Sequence, residues 1–207
     1  MSDSTTALAS AIDDLLKRPK TDAGRLNAFA DYCIEGFARH GLVGVRGGAS
    51  NEINVPGLTR SKDWDLAFMF AGKPRLLLSL KSMLKNLSGA VPNRLDDLMG
   101  EAANVQQISP EVVIGYAIVM DVAEDSTRRD GDTWINWFEK ALGRVAIRNA
   151  PLWNQGLIES FWVLRIDSRE PPGARLVSPD VAAGEAFFGT LVDRLRQREP
   201  AIFITPP

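Results

Sequence analysis

Two apolar, strand-length runs lie close together in this chain, Trp64–Phe70 (WDLAFMF) and Arg75–Met83 (RLLLSLKSM), joined by Ala71–Pro74 (AGKP), which carries turn residues. They read as a β-hairpin. Asp65 falls within the first run, and fourteen positions later the second run offers Ser79, Leu80 and Lys81 in LLLSLK. Strand side chains alternate, so Ser79 and Lys81 share one face and Leu80 takes the other. A lysine in so apolar a run is costly unless a carboxylate pairs with it, and Asp65 is the nearest candidate.

The elements around the hairpin give an α/β order. Ala7–Lys17 and Ala23–His40 are predicted helices, the second with Thr21 or Asp22 as N-cap and Gly41 just past its end. Gly44–Ser50 (GVRGGAS) is a glycine-rich loop or strand edge; it lacks the Gly-Lys-Ser/Thr ending of a nucleotide-binding loop and reads as an ordinary turn. After the polar stretch Lys85–Pro92, a helix is expected from about Asn93 to Gln107 and a strand over Val112–Met120 (VVIGYAIVM). Thr133–Arg148 has a helical pattern, Ile158–Ile166 reads as a strand and Asp180–Arg198 as a closing helix. No internal stretch is long and rich enough in Pro, Gly and Ser to act as a linker, so one domain over residues 1–207 is expected.

Composition removes several kinds of chemistry. Cys33 and His40 are the only residues of their types, which leaves no internal disulfide, no cysteine-built zinc site and no HExxH helix. They lie seven apart on a predicted helix and read as packing residues. The apolar runs are too short to span a bilayer, and the start MSDSTTALAS has neither the basic nor the apolar region of a secretory signal. No membrane segment and a cytoplasmic address are the expectation. Catalysis, if present, falls to carboxylates, lysine and a hard metal ion.

The helix after the hairpin offers such carboxylates. At 100° per residue, Leu95, Leu98, Met99, Ala102 and Val105 form one stripe, bordered by Arg94, Asp97, Glu101 and Asn104, while Asp96 points away. Asp97 and Glu101, four apart, can both lean toward the hairpin or can form an ordinary solvated acidic face. Charge is segregated along the chain although its net value is only −2: Pro56–Arg94 carries Arg60, Lys62, Lys73, Arg75, Lys81, Lys85 and Arg94 against Asp63 and Asp65, whereas Leu95–Asp125 has acids and no base. Such asymmetry suits a basic cleft around phosphates. Lys140, Arg144 and Arg148 fall on one helical face and offer a further backbone grip or a solvated face, and Trp134, Trp137 and Phe138 (WINWF) read as core or dimer contact. Glu35, in the second predicted helix, reads as a surface residue.

A carboxylate, a strand lysine and a second carboxylate are what Mg²⁺-assisted phosphodiester hydrolysis requires: carboxylate oxygens hold the hard cation, and lysine orients water and offsets phosphate charge. The stretches PGLTRSKDWDLAF (Pro56–Phe68), LLLSLKS (Leu76–Ser82), NRLDDLMGEAANV (Asn93–Val105) and GYAIVMD (Gly115–Asp121), in this order and spacing, resemble the XhoI-like type II restriction endonucleases of the PD-(D/E)XK nuclease class. They cover roughly the middle third of the chain, and RVAIRNAPLWNQGLIESFWVLR is similar to that family's C-terminal half only loosely.

The resemblance implies a restriction-endonuclease-like core, a mixed central sheet flanked by helices. It matches Asp65 to the family's metal-binding Asp and Lys81 to its catalytic Lys. Ser79 stands where the family has Glu, as in other restriction enzymes that have Ser-x-Lys and take the missing acid from the following helix. Asp96 and Asp97 match that helix's acidic pair; the helical wheel favours Asp97, with Glu101 next. The site so implied has Asp65, Ser79, Lys81 and Asp97 as catalytic residues. Asp65, the backbone carbonyl of Leu80, Asp97 and Glu101 are its ligands for Mg²⁺, and Arg60, Lys62, Lys85 and Arg94 its DNA contacts. The expected activity is site-specific cleavage of double-stranded DNA by a homodimer, with one active site per strand of a palindrome. The alternative is a catalytically impaired DNA-binding or assembly protein that keeps the nuclease fold.

Overall fold

The computed structural model describes residues 2–19, 21–48, 51–151, 153–177 and 180–204. The chain begins with two helices, α1 (Ser2–Lys17) and α2 (Asn27–Arg39), the latter led in by a 3-10 turn over Ala23–Leu26. Asp22 caps that turn by accepting from Gly24 N at 2.7 Å, and Gly41, at φ +85°, takes the left-handed position past the end of α2. The strands β1 (Arg46–Gly47), β2 (Ile53–Val55), β3 (Lys62–Trp64), β4 (Leu66–Phe70) and β5 (Lys73–Met83) follow. Then come α3 (Leu87–Gln106), β6 (Val113–Asp121), α4 (Trp134–Val145), β7 (Ser160–Ile166) and α5 (Asp180–Arg198).

Five strands form a mixed sheet in the order β1-β4-β5-β6-β7, antiparallel across β1, β4 and β5 and parallel across β5, β6 and β7. Parallel neighbours need crossovers, and α3 and α4 supply them. Both pack on one face, over Ala67, Leu77, Ile114, Tyr116, Ile118 and Met120. The other face carries Leu66, Leu76, Leu78, Leu80, Ala117 and Trp162 under α1, α2 and α5. β5 and β6 are thus apolar on both faces, which is why their sequences read as near-continuous hydrophobic runs. Among the described residues no helix is long and apolar enough to cross a membrane.

Several boundaries differ from the sequence reading. The hairpin turn is the two residues Ala71 and Gly72, with φ of +51° and +75°, between the paired Phe70 and Lys73. Lys73 and Pro74 already belong to β5, and the proline is accommodated beside a register shift at Phe68/Met69. Asp65 does not lie inside a strand: β3 ends at Trp64 and pairs with β2 in a separate two-stranded sheet, while β4 starts at Leu66. Helix α3 begins at Leu87 rather than Asn93, because Pro92 falls in its second turn and does not stop it. Met99, expected on the apolar stripe, is exposed, whereas Leu98, Ala102 and Val105 are buried. Ala49 and Ser50, the end of the glycine-rich stretch, lie outside the described residues.

The largest correction concerns Arg148. Helix α4 ends at Val145, so Arg148 does not share its face with Lys140 and Arg144. It is buried, with Nη1 3.1 Å from Glu159 Oε1, and it donates to the carbonyls of Pro110, Val112 and Trp153. Arg198 reaches the same Glu159 oxygen at 2.5 Å from the end of α5. This network ties the entry of β6 to the last helix and leaves Arg148 unable to grip a phosphate. Lys140 pairs with Asp132 at 2.7 Å. Of the WINWF aromatics, Phe138 is core, and the half-buried Trp134 and Trp137 rings both carry the Arg128 guanidinium, at 4.3 and 4.4 Å from their centroids.

Candidate active site

The break between β3 and β4 aims Asp65 at the neighbouring strand. Continuing the Leu66–Leu78 register by one step sets Asp65 beside Ser79, on the sheet face that α3 covers. Its Oδ2 accepts from Leu80 N at 2.8 Å, from Lys81 Nζ at 3.2 Å and from Ser79 Oγ at 3.4 Å. All three donors converge on Oδ2, leaving Oδ1 without a protein partner among the described residues. Ser79 is buried and spends its hydroxyl on Asp65; Asp65 and Lys81 remain partly open to solvent.

The glycine-rich loop braces the Asp65 backbone. Gly48 N donates to the Asp65 carbonyl at 2.8 Å. Gly47, at φ +134°, lies so close that a Cβ there would stand 2.2 Å from the same carbonyl oxygen. Only glycine permits that approach. The loop therefore serves the site through its backbone.

Helix α3 contributes two acids to a cleft of about 580 Å³ that Asp65, Leu80 and Lys81 also line. Glu101 is the deeper, with a side chain only 13% exposed and held by Lys62 at 2.8 Å. Asp97 is 53% exposed and pairs with Arg94, one helical turn away, at 3.0 Å. Asp96 is exposed and does not line the cleft. Of the expected DNA contacts, Lys62 and Arg94 border this cleft, Arg60 borders an adjoining one and Lys85 lies beyond Arg94. Glu35 is exposed on α2, and Cys33 and His40 take no part: Cys33 is fully buried, its thiol pushed up by desolvation, and His40 pairs with Glu185 at 3.0 Å.

Three residues here were not singled out from the sequence. Glu52 lines the adjoining cleft of about 230 Å³ with Arg60, Lys62, Asp65 and Lys81. Partial burial, then the like charges of Asp65 and Asp63, hold its carboxyl above the ordinary range. Asn104 clamps the loop that carries Arg60, accepting from Thr59 N and donating to the Arg60 carbonyl, each at 2.9 Å. Its place on the stripe with Asp97 and Glu101 was the signal. Tyr116 is the in-register neighbour of Ser79, and its buried hydroxyl has no partner among the described residues. No protein-family model matches the chain, and no curated protein matches its sequence.

Among the described residues no three Asp, Glu, His or Cys side chains converge closely enough to hold a metal ion by themselves. The donor set is nevertheless the kind Mg²⁺ uses: one or two carboxylates and a carbonyl, all hard oxygens, with water and substrate phosphate completing the shell. Asp65 offers the unshared Oδ1, and Glu101 stands across the same cleft.

Proposed function

We propose that the chain is a Mg²⁺-dependent endonuclease with a restriction-endonuclease core, hydrolysing phosphodiester bonds in duplex DNA as a type II site-specific enzyme. The observation that carries this reading is the Asp65–Lys81 contact at 3.2 Å in a cleft that Glu101 and Asp97 also border. Asp65, the Leu80 carbonyl and Glu101, with Asp97 at the rim, are the residues that would hold the ion. When bound, the ion supplies Lewis-acid polarisation of the phosphate and a more acidic water. Lys81 orients the attacking water and offsets the charge that builds on the phosphate. Ser79 and Leu80 N fix the rotamer of Asp65, so its free oxygen keeps one direction. Arg60, Lys62, Lys85 and Arg94 position the DNA backbone without reading sequence. A two-fold dimer would present one such site to each strand.

A second reading, a DNA-binding or assembly protein that no longer cuts, is favoured by Ser79 standing where the resembled family has Glu and by Lys62 already neutralising Glu101. Purified protein incubated with mixed-sequence duplex DNA and Mg²⁺ or Mn²⁺ separates the two. Discrete fragments support the nuclease; retarded but intact DNA supports the second reading, and no interaction overturns both.

A further inference from the structure

On the side of the 580 Å³ cleft that Arg25 and Arg94 line, there is a further cavity of about 250 Å³, and its lining has a different character. One side is apolar: Met83 at the end of β5, Leu84 after it, and Ala90 on α3. The rest is dominated by Arg25, Lys85 and Arg94, with no acid among the lining residues. Arg25 and Arg94 also border the Asp65–Lys81 cleft, as does Ser82, so the two spaces share a wall.

Size and charge together limit the occupant. The cavity is below the roughly 300–1,000 Å³ of sites for drug-sized ligands, so it suits one ring system rather than an extended molecule. Three cations with no counter-ion of their own in the lining call for an anionic group on that ring. Arg94 does reach Asp97, but both side chains are exposed, and water-screened pairs of this kind are weak enough for a phosphate to displace. Guanidinium planes also stack on bases, which an ammonium does less well.

We propose that this cavity is a nucleotide subsite, taking one unpaired base of the bound strand against Met83, Leu84 and Ala90 with its phosphate on Arg25, Lys85 and Arg94. The proposal rests on the nuclease reading only for the identity of the strand that delivers the nucleotide. It places an extruded or single-stranded base next to the phosphate held at Lys81, and so makes unpaired or easily opened DNA the better substrate.

The test uses the full chain in EDTA, where no cleavage can occur, with deoxyadenosine monophosphate, deoxyadenosine and inorganic phosphate as separate probes in calorimetric titrations. The monophosphate is expected to bind about tenfold or more tighter than either part alone. Ala90→Leu, which fills the apolar side, should weaken the monophosphate about tenfold and leave phosphate unchanged, whereas Lys85→Ala should weaken both. In the wild-type chain the Met83 methyl resonance should shift on adding the monophosphate, a readout independent of how any variant folds. Equal affinity for monophosphate and phosphate, an unmoved Met83 signal, or an Ala90→Leu chain that is folded and binds normally would overturn the subsite. DNA cleavage without monophosphate binding removes only the subsite. Monophosphate binding in a protein that never cuts with Mg²⁺ removes only the nuclease reading.

Discussion

Replacing Glu159 by glutamine takes the one negative charge out of a site that encloses two guanidinium groups. The Glu159 side chain is 0% exposed, and its Arg148 and Arg198 partners are 5% and 6% exposed. One oxygen takes both arginines and the other accepts from Ile114 N at 2.5 Å. Burial pushes the carboxyl above its ordinary range and both guanidinium groups below theirs, and the opposite charges offset part of that. The amide leaves two buried cations facing each other without a counter-ion, a change that costs about 3–5 kcal/mol. For a chain of this size, each kcal/mol lowers the melting temperature by about 2–4 °C, so a drop of roughly 6–20 °C is expected. Urea unfolding followed by tryptophan fluorescence measures the loss directly. Glu139→Gln is the control: its pair with Arg165 is half-exposed and open to water, against the fully enclosed Glu159, and it should change stability by no more than about 1 kcal/mol. A Glu159→Gln loss no larger than the control's would refute the claim that the network is a buried clasp.

Three further outcomes follow from the same geometry. Gly47→Ala meets the Asp65 carbonyl and a φ of +134°, whereas Gly41→Ala meets open space at φ +85°; the former should cost more by about 2 kcal/mol and should also depress any DNA cleavage, since it displaces Asp65. Between the two α3 acids that line the cleft, Glu101→Gln should abolish Mg²⁺-dependent cleavage and Asp97→Asn should leave most of it, because Glu101 is the deeper of the two; cleavage profiles of the paired variants check this, and the reverse order would move the second carboxylate to the rim. Burial raises the Glu185 carboxyl, but hydrogen bonds and charge from Arg39 and His40 outweigh it and hold the group below its ordinary value of 4.5. The stability it adds is therefore present above that pH and fades as pH falls below it. The gap between wild type and Glu185→Gln in urea, about 1 kcal/mol or less, should be present near pH 7 and close below about pH 4.

The hairpin and its polar residues were legible because period-two alternation survives in LLLSLK, and alternation alone puts Ser79 and Lys81 on one face. The short pair β2 and β3 was not, since Asn54, Lys62 and Asp63 break any apolar pattern. Because that pair exists, Asp65 occupies a junction between two sheets rather than a strand interior. The start of α3 was hidden by Pro92, which reads as a stop because an interior proline removes the hydrogen bond to the carbonyl four residues back, yet α3 carries it in its second turn. Arg148 was misread by carrying helical periodicity past Val145, where the backbone leaves the helix at Ala146. The brace from Gly47 and Gly48 onto Asp65 depends on two distant segments meeting, and local sequence carries no trace of such contacts. The proximity of Glu52 to Asp65 is hidden for the same reason.

The catalytic role proposed for Lys81 is tested most directly by removing its ammonium group. Cleavage of duplex DNA with Mg²⁺ should fall by about 10²-fold or more in Lys81→Ala, with retardation of the same DNA in a gel nearly unchanged, because the ammonium acts on the water and the phosphate and contributes little to backbone grip. A Lys81→Ala protein that cuts as fast as the wild type would contradict it.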